Sequence, residues 1–103
     1  MRLISLAFLA VALAPLQVAA ETGHVVERFG GCDYFIADGP RGLYVLEWYG
    51  GHDPYVGERI EGDIGSYGFK DVSYPDGGQS GRVWVEDFLE SSGNAYEEIE
   101  DHC

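Results

Sequence analysis

A small, mainly β domain ending in one short helix is what this sequence predicts. Three observations carry that reading. Short runs of β-forming residues alternate with a period of two. Glycine or proline punctuates the breaks between them. Helical spacing appears only at the end of the chain. The expected organisation is a signal peptide over residues 1–20 and a single domain over 21–103. That domain would be an antiparallel barrel or rolled sheet of five to six strands, with a C-terminal helix over about residues 94–102.

The first twenty residues read as an address. Met1-Arg2 is a short positive start, Leu3 to Ala14 is almost all apolar, and Pro15 interrupts it. Val18 and Ala20 are the small residues that precede a cut after Ala20. The apolar run is shorter than the roughly 20 residues that span a bilayer. A secreted or periplasmic destination follows, with no membrane attachment after cleavage. The remaining 103 − 20 = 83 residues are close to the size at which one core needs a staple. Two cysteines, Cys32 and Cys103, supply one as a disulfide. A disulfide-linked dimer and two free thiols are the competing readings. A monomer is the expectation.

The strands follow in order. They are read over His24–Phe29, Asp33–Ala37, Leu43–Tyr49, Arg59–Ile64, Phe69–Tyr74 and Arg82–Phe88. In "ERIEGDI", Ile60 and Ile64 oppose Arg59, Glu61 and Asp63, with Gly62 marking a bulge or a close crossing. In "RVWVEDF", Val83 and Val85 point inward, and Arg82, Trp84 and Glu86 share the other face. "CDYFIAD" and "LYVLEWY" are apolar on both faces apart from their acids, so both are expected to be covered on two sides. At the end, Asn94 with Glu97 reads as an N-cap pair, and Tyr96, Ile99 and Cys103 recur on one helical face. That helix is acidic in its last turn, against its own dipole, and needs both an apolar contact and the Cys103 bridge. "GGHDPYVG" is too short for the helix that an OB-fold carries between its third and fourth strands. The barrel is therefore SH3-like, or OB-like with that helix displaced to the end.

Catalytic and metal chemistry finds little purchase. His24, His52 and His102 form no H-x-x-x-H or H-E-x-x-H pair. His52 and Asp53 are neighbours that point apart on an extended chain, with no partner at a useful spacing. "DVSYPDGG" fails as a calcium loop, because Pro75 and Arg82 stand where the fifth and twelfth ligands belong. None of the serines sits in a nucleophile elbow. The glycine-rich turns do not lead from strand into helix as phosphate loops do. No cofactor, metal or catalytic residue is expected. An enzyme, a small hydrolase for example, is the least favoured function.

Charge and aromatic rings are more informative. Without Arg2, five basic residues face 18 acidic ones, a formal charge of 5 − 18 = −13. Such a surface repels nucleic acid and anionic headgroups; solubility of a secreted protein is the favoured reason for it, ahead of attraction of a basic partner or cations. Tyr49, Tyr55, Tyr67 and Trp84 are the candidate contact residues, at strand ends, loops or polar faces. For Trp84 the favoured alternative is structural, with Tyr96 and Ile99 of the helix packing over it. Trp48 alternates with Tyr44 and Leu46 and reads as core. The expected function is non-enzymatic binding of a basic protein, a peptide or a glycan. The alternative is inhibition of a basic secreted enzyme such as a lysozyme or a protease.

Overall fold

Six antiparallel strands close on themselves in the computed structural model, which describes residues 20–103. They are β1 (Glu21–Arg28), β2 (Tyr34–Gly39), β3 (Gly42–Gly51), β4 (Arg59–Gly62), β5 (Gly68–Tyr74) and β6 (Gln79–Glu90), followed by α1 (Ser92–His102). The expected signal peptide lies outside the described residues apart from Ala20. The strand order around the barrel is β1-β2-β3-β6-β5-β4. Two three-stranded meanders are joined by the β3–β6 and β1–β4 pairings. The link between the meanders is the loop after β3, which carries no helix. No helix among the described residues is long and apolar enough to cross a membrane.

Alternation decides what the barrel encloses. Phe35 and Ala37 of β2, Tyr44 and Leu46 of β3, and Val83 and Val85 of β6 fill the interior with Val25, Ile60, Val72 and Tyr74. β4 stops at Gly62, two residues earlier than its pattern predicts. A Cβ on Gly62 would lie 2.9 Å from Val72 Cγ1, so the strands cross closely there. Ile64 still reaches the core from the turn that follows. β1 starts earlier than predicted because Glu21 to His24 pair with β4. Glu21 also accepts hydrogen bonds from Tyr44 and Arg41, which gives the buried phenol a partner.

The helix corrects two sequence expectations. Its N-cap is Ser91, whose Oγ accepts from the Asn94 N–H at 3.3 Å, so Asn94 lies inside the first turn. Serine caps as well as asparagine does, and β6 runs on to Glu90 and leaves no linker before the helix. Nor does α1 cover Trp84. Ala95 and Ile99 pack with Ile36 and Val45 on the outer face of β2 and β3, beside half-buried Phe29, Tyr34 and Leu43. That face is apolar, whereas the outer face around Trp84 carries Arg82 and Glu86. Tyr96 turns to Phe29, and its hydroxyl donates to Glu27 at 2.8 Å. The disulfide joins Cys32 to Cys103 with Cα atoms 5.6 Å apart, pinning the end of α1 to the β1–β2 turn. Closing a 71-residue separation contributes about 4 kcal/mol by chain entropy.

Two substitutions test this architecture. Gly51 and Gly81 face each other across β3 and β6, and a Cβ on Gly81 would lie 2.7 Å from the Gly50 carbonyl oxygen. Gly81→Ala is expected to lower stability by about 1–3 kcal/mol in urea unfolding. An unchanged midpoint would show that the crossing can relax. Cys103→Ser is expected to speed amide exchange across α1 before the barrel strands lose protection. Simultaneous loss in both would make helix and barrel one unit.

Candidate binding face and polar clusters

Strand register builds a row of side chains across the outside of the barrel. Tyr34 of β2 pairs with Glu47 of β3, Glu47 with Trp84 of β6, and Trp84 with Phe69 of β5. Their neighbours Phe35, Leu46, Val83 and Val85 point inward, so these four point out. Tyr49 stands two residues beyond Glu47 on the same face. Its ring meets Phe69 edge-on at 4.7 Å, and Phe69 meets Trp84 at 4.8 Å. About half of Tyr49 and of Phe69 is open to solvent, at 51% and 49%.

Polar groups hold the row in place. The Trp84 indole N–H donates to Glu86 Oε1 at 2.9 Å. The other Glu86 oxygen lies 3.6 Å from His102 Nε2, and His102 stacks on Tyr34 at 4.4 Å. Burial and a hydrogen bond to Glu47 both raise the Tyr34 phenol above its ordinary value, so it stays a donor. At the opposite end Arg82 lies over the Phe69 ring at 5.7 Å, with Asp71 3.4 Å away.

The four candidate contacts do not form one site. Tyr49 and Trp84 belong to the row. Tyr67 packs on Phe88 at 4.7 Å and donates to Asp87 at 3.3 Å. Tyr55 sits in the loop after β3, edge-on to His52 at 6.2 Å. Phe69 and Glu47 are row members that are not among the sequence candidates, whereas the alternation in "RVWVEDF" already sets Glu86 on the face of Trp84. Period-two alternation from inward Val72 and Tyr74 already places Phe69 outward with Asp71 and Ser73.

The loop after β3 corrects the reading of His52 and Asp53 as partnerless. His52 Nε2 lies 2.8 and 2.9 Å from the two oxygens of Glu58, a side chain only 1% exposed. Glu58 also accepts from the Tyr55 N–H, and Asp53 pairs with Arg28 at 2.9 Å. A carboxylate so buried needs these partners. Trp48, half-buried against the core, donates its indole N–H to the His52 carbonyl. The His–Glu pair therefore latches the loop onto the barrel end.

A third cluster joins helix to sheet. Asp87 and Glu90 of β6 and Glu98 of α1 each offer a carboxylate oxygen, all within 4.8 Å of one another. Burial, and then the neighbouring Asp87, push Glu98 up to about 8. Glu90 is raised by sharing a hydrogen bond with Asp87 and by burial. Burial also acts to raise Asp87, but hydrogen bonds from Glu90, Glu98, the Phe88 N–H and Tyr67 outweigh it and hold Asp87 low. Oxygen donors suit a hard cation, but three fall short of the roughly six to eight that calcium takes.

This cluster makes docking of α1 depend on pH. A carboxyl raised in the folded state contributes stability below its unfolded value, near 4.3. That contribution is lost as pH rises through the folded value of about 8. Glu98→Gln is expected to raise the melting temperature at pH 8 and to leave it nearly unchanged at pH 4. A wild-type melting curve with the same slope in pH as the variant would exclude the effect. No family model, curated protein or solved structure matches this chain.

Proposed function

We propose that the protein is a secreted or periplasmic, non-enzymatic binding module whose docking face is the outer side of β3, β6 and β5. One observation carries this reading: Tyr49, Phe69 and Trp84 form a continuous series of rings outside a barrel whose interior is already filled. Large rings dominate binding energy where they are rigid and partly exposed. The indole is fixed by Glu86, and each ring is braced by the next, so little order is lost on contact. The disulfide supports an oxidising compartment. The polar clusters support binding over catalysis. His52 and Glu58 are committed to the loop, and Asp87, Glu90 and Glu98 to the helix contact.

The test is a ligand panel, a basic protein and a neutral oligosaccharide, titrated against wild type, Phe69→Ala and Trp84→Ala. Each substitution is expected to weaken binding by about tenfold or more, roughly 1.4 kcal/mol. Melting temperature should move by only a few degrees, because both rings lie outside the core. Unchanged affinity in a folded double variant would reject this face.

A further inference from the structure

We infer that the aromatic row receives a lysine or arginine side chain from a basic protein partner. The inference rests on the docking face proposed above and names what docks there. The barrel already makes the same recognition within its own chain. Arg82 lies over Phe69 and pairs with Asp71. Arg28 lies over Phe35 and pairs with Asp53, and Arg41 lies over Phe88 and pairs with Glu21. In each case a ring takes the face of the cation and a carboxylate takes its N–H groups.

Trp84 repeats this arrangement, and among the described residues no lysine or arginine lies over its ring. Glu47 stands directly across from it in register, and Glu86 is fixed to its indole N–H. Indole is the strongest of the side-chain rings for a cation. All five lysine and arginine residues among those described are already paired with carboxylates, the remaining two being Arg59 with Asp76 and Lys70 with Asp63. His102 reaches Glu86 at 3.6 Å, and Glu47 accepts from the Tyr34 hydroxyl and joins no ion pair among the described residues. A surplus of acid around a part-exposed indole is complementary to a basic segment and not to an anionic or neutral one.

The experiment follows the Trp84 indole N–H resonance while the oxidised protein is titrated with a hexalysine peptide and, separately, with an uncharged oligosaccharide. The peptide is expected to shift the Trp84 signal, with affinity falling about tenfold from low to high salt. Glu47→Gln with Glu86→Gln is expected to weaken the peptide about tenfold at low salt. Glu100→Gln with Asp101→Asn, exposed acids on α1, should change it less than about twofold. Three outcomes overturn the inference. If the oligosaccharide shifts Trp84 and the peptide does not, the face stands and its cationic ligand fails. If both pairs of substitutions weaken the peptide equally, net charge alone attracts it. If neither probe shifts the row, the docking face fails as well.

Discussion

The β2–β3 hairpin must be buried on both faces, and much of the rest of the structure depends on that requirement. Phe35, Ala37, Tyr44 and Leu46 fill the barrel, while Ile36 and Val45 face outward with Leu43 beside them. A closed sheet can bury only its inner face. The outer one needs a second layer, and α1 is the element available. By itself α1 is a poor helix, with no acid in its first turn, acids in its second half that oppose its dipole, and His102 as the one basic group in its last turn. The Ser91 cap holds one end and the Cys32–Cys103 bridge the other. With both ends fixed, the helix lies on β2–β3, and the outer face of β6 and β5 is left open.

That placement also arranges the charges. The short passage from β6 into α1 brings Glu98 onto Asp87 and Glu90, a contact that carboxyl groups make by sharing protons. Elsewhere the few bases are spent at positions that close the barrel. Arg41 and Tyr44 meet on Glu21, Arg28 ties the β3–β4 loop through Asp53, and Lys70 ties the turn after β4 through Asp63. Acids in excess of these tasks accumulate on the outside, and two of them border the ring row. The acidity is thus not uniform over the surface.

The six strands and the disulfide were legible because both rest on local or forced choices. Two-residue alternation gave the interior of β3 and β6, and two cysteines leave one intramolecular pairing. What the sequence hid depends on which strand lies beside which. The order β3-β6-β5 places Trp84 between Glu47 and Phe69, residues 37 and 15 positions away in the chain. Glu58 buries itself against His52 only because the loop folds back over the barrel end, which no spacing rule foretells. The helix position could have been read. Strands apolar on both faces demanded a cover, and α1 was the free amphipathic segment. Trp84, on a face with Arg82 and Glu86, was the weaker claim on it.

A purely structural account of the ring row is available and falls short. Cross-strand aromatic pairs stabilise sheets by about 0.2–1 kcal/mol each, and Trp84–Phe69 is such a pair. That explains two rings in contact. It does not explain a third, because Tyr49 joins Phe69 from β3 and leaves about half of both exposed. Other solvent-facing positions on these and neighbouring strands are polar, Arg59 and Glu61 on β4, Asp71 and Ser73 on β5, Ser80 and Arg82 on β6, although Val26 on β1 is apolar and exposed. The fold tolerates polar residues at such sites, so sheet stability alone does not require rings at the row. Outward rings in mutual contact gather on β3, β5 and β6, and Glu86 fixes the indole there at the cost of a rotamer. Ordered, adjacent and part-exposed rings at positions where threonine or lysine would serve the sheet are the feature on which the proposed docking face rests.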